Sequence, residues 1–179
     1  MCRNRKLRIV QHGFTMIELI VVVAILAIAA AIVVPIASSV GSMQLRAAVT
    51  MLAADLEYAK SMSISRGQRY SVVFDAPGER YWIVSGDVYA VENAIPHPLK
   101  PQSPYVVDFP NDRRLSDVEI ASATFDGAST VSFDYLGIPY SVAASPAALL
   151  NAGVITLQAG GATRMVRVEP VTGYISVSN

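Results

Sequence analysis

Gly13-Phe14-Thr15-Met16-Ile17-Glu18 opens an aliphatic run, Leu19 to Val34, and the rest of the chain takes its order from that stretch. Four cations, Arg3, Arg5, Lys6 and Arg8, precede it; Glu18 stands at its mouth, and the next charge is Arg46. Prolonged by Pro35-Ile36-Ala37, the run has the length of a helix that crosses a bilayer. Its eleven Leu, Ile and Val residues between 19 and 34 favour insertion by about 0.3–0.6 kcal/mol each, roughly 3–7 in all, against at most about 3 for Glu18 at mid-membrane depth. Insertion wins.

The basic residues upstream fix the orientation, because Lys and Arg stay cytoplasmic and the remainder of the chain passes to the far side. A secretory signal peptide also begins basic and turns apolar, and Ala29-Ala30-Ala31 could serve as its small-residue cleavage site. The acid at the head of the run argues against that reading. A carboxylate at the start of a membrane helix is costly and marks a functional position.

These residues resemble the type III signal of type IV pilins and of the pseudopilins of type II secretion. The resemblance implies that a prepilin peptidase cuts between Gly13 and Phe14, on the cytoplasmic side, and that Phe14 becomes the N-methylated first residue. Glu18 is then the fifth residue of the mature chain, the position of the family's glutamate. By the same resemblance Glu18 pairs with the N-terminal amine of a neighbouring subunit in the filament, and Pro35 is the proline that kinks the membrane helix. In a low dielectric an unpaired carboxylate is expensive, so docking that supplies a cation is favoured over docking that does not. Capping the positive end of its own helix is the simpler role for Glu18; only the pairing sets a register between subunits.

With 179 residues and 53% hydrophobic content, the chain has room for one anchor helix and one modest globular domain. Loss of residues 1–13 would leave ten cations against fourteen acids, which argues against a dominant nucleic-acid partner. The single cysteine, Cys2, precedes the expected cut, so the mature chain would hold no disulfide and no thiolate metal site.

Beyond Pro35 the apolar positions Leu45, Val49, Leu52, Leu56 and Ala59 recur every three or four residues, the stripe of an amphipathic helix. Met51, Ala54, Tyr58 and Met62 widen it. Gly67 supplies a stop, giving one helix from about Thr15 to Arg66. The period then changes to two, with strands expected at 69–74, 80–85, 105–109, 118–125, 130–135, 138–142, 154–158, 164–168 and 174–177. Asp75-Ala76-Pro77-Gly78-Glu79 reads as a hairpin. The span 86–104, carrying Pro96, Pro98, Pro101 and Pro104, reads as a surface excursion, and 143–152 as a second loop.

The fold class is therefore α+β: a long N-terminal helix, first transmembrane and then amphipathic, packed on a C-terminal antiparallel β domain with room for a two-sheet sandwich, as in pilins. The expected divisions are a basic leader (1–13), a membrane and filament-core helix (14–40), an amphipathic helix half (41–67) and a periplasmic β domain (68–179).

Asp55-Leu56-Glu57-Tyr58-Ala59-Lys60, Arg66-Gly67-Gln68, Phe125-Asp126-Gly127, Val131-Ser132-Phe133 and Val166-Arg167-Val168 with Thr172-Gly173-Tyr174-Ile175 resemble the GspH/FimT group of minor pilins. That resemblance leaves 86–124 unsupported. It implies a minor pseudopilin of a type II secretion system, set in a periplasmic pseudopilus for protein export. The alternative is a minor type IV pilin acting in pilus biogenesis or DNA uptake. The implied partners are prepilin peptidase, other pseudopilins or pilins in a helical filament, the inner membrane and a secreted protein substrate.

No cofactor, metal or enzymatic activity is expected. The C-terminal tail lacks the acids of a calcium loop. Nucleic acid is not expected as a partner, because Gly173 is followed by Tyr174 rather than the arginine of DNA-binding members, and Arg164 and Arg167 fall on opposite strand faces. His97, the only histidine after the leader, reads as a solvated loop residue, Asp126 and Asp134 as turn residues, and Gly160-Gly161 as a turn rather than a phosphate cradle.

Overall fold

The computed structural model describes residues 14–142 and 148–178, with the side chains of 31–39 outside the description. The chain divides into two compact units, residues 1–37 and 38–179. The helix α1 covers Met16–Arg66, the span expected from the periodicity. Its stop is Gly67, whose φ of +65° is the left-handed conformation that glycine adopts without steric penalty.

In the first unit, every described side chain of the helix from Met16 to Ala30 is exposed. Among the described residues no helix is long and apolar enough to cross a membrane. The fifteen residues with described side chains rise about 22 Å at 1.5 Å each, short of a hydrocarbon core of roughly 30 Å. The remainder of the aliphatic run, 31–37, lies outside the described side chains.

In the second unit, one face of α1 is the centre of the core. Leu45, Val49, Leu52, Leu56 and Ala59 are each at most 2% exposed, as their spacing requires. Ala48 joins them. Met51, Tyr58 and Met62 are half-buried against the same core, but Ala54 is exposed and Ala53 takes its place. The apolar sector thus widens on the expected side through Met51, Tyr58 and Met62, and Ala53 adds to it on the other flank.

Against this face lie two antiparallel sheets. β1 (Tyr70–Asp75) and β2 (Arg80–Ser85) form the predicted hairpin. Asp75 closes it, accepting from the Gly78 amide at 3.2 Å and from Arg80 Nε at 2.8 Å. With β5 (Val106–Asp108), β7 (Thr130–Phe133), β8 (Pro139–Ser141) and β9 (Ala148–Leu149) they make a six-stranded sheet ordered β5-β2-β1-β7-β8-β9. The second sheet is ordered β12-β11-β10-β6, from β6 (Glu119–Phe125), β10 (Gly153–Ala159), β11 (Ala162–Val168) and β12 (Ile175–Ser178).

Alternation along β10 buries Gly153, Ile155, Leu157 and Ala159, the period of two that a half-covered strand shows. Its partner β6 needs a device to do the same. Ile120 and Phe125, an odd number of residues apart, both face the core because the register jumps from Thr156–Ser122 to Leu157–Ile120, leaving Ala121 as the extra residue of a bulge.

The 86–104 excursion is ordered, contrary to its reading as a loop without strands. It holds a 3₁₀ turn, Val91–Asn93, and a two-stranded sheet of β3 (Pro96–His97) and β4 (Lys100–Pro104). Its first half covers the outer face of the six-stranded sheet. There Val73, Trp82 and Val84 form a second cluster under Tyr89, Val91 and Ala94, and Trp82 Nε1 donates to the Tyr89 carbonyl at 2.9 Å. This is why β1 and β2 are buried on both faces. Of the second expected loop, 143–147 lies outside the described residues and Ala148–Leu149 is strand.

Candidate functional site

The head of α1 carries the residues the sequence singled out. Gly13 lies outside the described residues, so the site of the expected cut is described only from Phe14 onward. Thr15 is the N-cap: its Oγ1 accepts from the Glu18 amide at 3.2 Å, and its carbonyl accepts from the Leu19 amide at 3.2 Å. Thr15-Met16-Ile17-Glu18 therefore has the sequence of a capping box, with the acid at the third helical position. A carboxylate in the first turn also meets the positive end of the helix dipole.

Among the described residues, the side chains around this acid other than Thr15 are apolar and exposed. Phe14 is 79% exposed and Met16 81%, and the exposed positions continue through Ile28. A helix that is apolar on all sides is normally found buried in a large core or in lipid. Pro35 falls within the range of α1, but its side chain is not among those described.

The second unit contains a polar cluster that sequence reasoning did not mark. Asp55 lies on the buried face of α1, three residues from Leu52 and four from Ala59, and is 8% exposed. Its Oδ2 accepts from the Tyr81 hydroxyl at 2.6 Å and its Oδ1 from the Tyr105 hydroxyl at 2.8 Å. Burial raises the Asp55 pKa above its ordinary 3.8, and the two phenol hydrogen bonds and the field of His97 oppose that rise. Burial and the adjoining carboxylate push the Tyr81 and Tyr105 hydroxyls up, so both stay protonated donors.

Tyr105 is in turn sandwiched between Tyr58, at 5.5 Å, and His97, at 4.6 Å between ring centres. Both carboxylate oxygens of Asp55 are thus engaged by phenols, from β2 and from the residue between β4 and β5. The cluster fastens helix to sheet and to the excursion. The legible signal was an acid inside an apolar stripe, since a buried carboxylate requires partners.

His97 is half-buried, and its Nδ1 accepts from the Leu99 amide at 3.1 Å. Asp126 accepts from the Asn151 and Ala152 amides, and Asp134 from those of Leu136 and Ile138, the side-chain-to-backbone bonds that build turns. Arg167 is exposed and Arg164 half-buried on alternate faces of β11. Among the described residues no group of three or more potential metal ligands converges.

Two stretches of the chain match known families. Residues 8–34 match the prokaryotic N-terminal methylation motif. Residues 48–172 match the family described as type II transport protein GspH. The chain belongs to the GspH family. The match includes the 86–124 region that the sequence resemblance left uncovered.

Solved structures similar to this GspH-family chain include the type IV minor pilin FimU of Pseudomonas aeruginosa, at 18% identity and a TM-score of 0.49, over 75% of this chain and 88% of that one. The minor pseudopilin EpsH from the type 2 secretion system of Vibrio cholerae is similar at 10% identity and a TM-score of 0.45, over 75% of this chain and 96% of that one. No curated protein sequence matches the chain. A GspH-family chain with this motif and this α+β fold is a pilin-like or pseudopilin subunit, and the motif implies processing by prepilin peptidase and assembly with pilin-type subunits.

Proposed function

We propose that the chain is a minor pseudopilin of a type II secretion system. In this reading prepilin peptidase cuts between Gly13 and Phe14, Phe14 is N-methylated, and the helix beginning there anchors the protein in the inner membrane with the β domain in the periplasm. On assembly the helix leaves the bilayer and packs among those of other subunits, with Glu18 paired to a neighbour's N-terminal amine and Pro35 bending the segment. The observation that carries the proposal is the continuously exposed apolar surface from Phe14 to Ala30 around the lone Glu18.

Exposed apolar area of this kind is unstable in water, and bilayer or helix bundle would each remove it from solvent. An acid within such a bundle selects the packing that brings it a cation. The family's description as a type II transport protein favours export over pilus building.

The test is complementation of a strain lacking the chain with wild type and with Glu18→Ala. The proposal expects extracellular enzyme to accumulate inside cells carrying Glu18→Ala, with surface pili unchanged. Loss of pili with export intact would transfer the chain to a pilus, and full function of both would remove the pairing role.

A further inference from the structure

The excursion that covers the outer sheet also builds one wall of a cleft of about 700 Å³. Its other wall is the turn 111–114, and the apolar part of its lining is Met51 from α1 with Val107 of β5, both packed against the main core, and Val106 on the opposite face of the strand. β5 is the last strand of the six-stranded sheet, so its outer backbone groups have no neighbouring strand among the described residues. An edge of this kind is a template for an added strand.

The rim decides what chemistry fits. Asp108 is engaged by Asn111, whose backbone amide and Nδ2 both donate to it, at 3.2 and 2.9 Å. Asp112 is held by Arg114, through Nη2 at 2.6 Å and through the Arg114 amide at 2.9 Å. Those bonds lower the Asp112 pKa to about 2. The two carboxylates of the cleft are therefore already partnered. Lys100 on one wall and Arg113 on the other are exposed, and neither forms an ion pair among the described residues. Lys100, Arg113 and Arg114 against Asp108 and Asp112 leave the cleft one positive charge in excess beside apolar side chains and a strand edge, on a chain whose mature form would be net acidic.

We propose that this cleft docks an extended acidic segment of a partner polypeptide, its backbone along β5 and its carboxylates at Lys100 and Arg113. In an extended segment side chains alternate, so apolar residues would meet Met51 and Val107 while acids reach the rim. A nucleic acid fits less well. Its unbroken run of phosphates would pass the Asp108 and Asp112 carboxylates, and its backbone offers no amides to a strand edge.

The full chain, solubilised in detergent, is titrated into fluorophore-labelled peptides alternating valine with glutamate or with glutamine. The glutamate peptide is expected to bind, weakening as salt rises, and to bind about tenfold or more tightly than the glutamine peptide. Lys100→Glu with Arg113→Glu is expected to abolish that preference, while Arg167→Glu, an exposed cation on β11, leaves it intact. Equal affinity for both peptides on the wild type overturns the proposal without recourse to any variant. So does equal loss in the Arg167→Glu control, or a single-stranded oligothymidylate that binds the cleft and displaces the peptide.

Discussion

The hydroxyl of Tyr81, on β2, donates to Oδ2 of Asp55, on α1, across 2.6 Å in a fully buried setting. With Tyr105 on the other oxygen at 2.8 Å, this is where the helix is joined to the sheets by polar contact at the middle of its apolar face. The energetic consequence is asymmetric, because a buried donor or acceptor deprived of its partner costs more than the bond itself contributes.

Asp55→Ala strands two buried hydroxyls and opens a small void, and is expected to lower the stability of the domain by about 2–4 kcal/mol. Tyr81→Phe leaves the carboxylate one donor and is expected to cost about 1–3 kcal/mol. Urea unfolding of the two single variants and of the double variant measures both. The double variant is expected to be less destabilised than the sum of the singles, because partners within one network are not additive.

The pH dependence of this cluster runs opposite to ordinary acid denaturation. Burial raises the folded-state pKa of Asp55 above the 3.8 of the free group, so in that interval the folded chain binds the proton and the unfolded chain does not. The contribution of the group is complete below pH 3.8 and is lost as pH rises through the folded value. Asp55→Asn cannot ionise. The stability of wild type relative to Asp55→Asn is therefore expected to fall as pH rises from 3.8, and a difference that is flat or grows with pH would refute the assignment.

Gly41 lets α1 approach the turn between β10 and β11. A Cβ built at Gly41 meets Gly160 Cα and N at 3.0 Å, and both contacts are backbone. Gly41→Val is expected to force the turn away and to cost about 1–3 kcal/mol, read by thermal unfolding. An exposed helical site would instead tolerate the change. Gly41 lies on the buried side of the helix and Met43, two residues on, is 75% exposed, so Met43→Val is the matched control, expected to change stability by less than about 0.5 kcal/mol.

Gly137 carries φ of +81°, and a Cβ there would meet Ile64 Cδ1 at 2.9 Å. Gly137→Ala meets both a backbone penalty and a clash at the end of a flexible side chain. The backbone term dominates, and a loss of about 1–2 kcal/mol in chemical unfolding is expected. Ile64→Ala in the same chain is expected to relieve the clash but not the backbone term.

Much of this arrangement was legible in the chain. The three- and four-residue spacing from Leu45 to Ala59 gave the buried face, and Gly67 gave the helix end, because both signals are local and strong. The alternation in 70–85 and 153–168 placed the central strands. Asp55 was not marked because periodicity counts an acid as polar, and only the converging phenols from β2 and from Tyr105 make its burial tolerable. The β3–β4 pair was hidden by the four prolines of its span, which lack an amide donor and read as loop. The bulge at Ala121 depends on the register chosen by β10, a partner more than thirty residues away in sequence.

A subunit that begins at Phe14 underlies every assembly step proposed for this chain, and intact-mass and N-terminal peptide mass spectrometry of the protein isolated from its native membrane tests that directly. The predicted result is a chain starting at N-methylated Phe14, with residues 1–13 gone and Glu18 retained. A chain that begins beyond residue 29, or one that keeps Arg3 to Arg8, would contradict it.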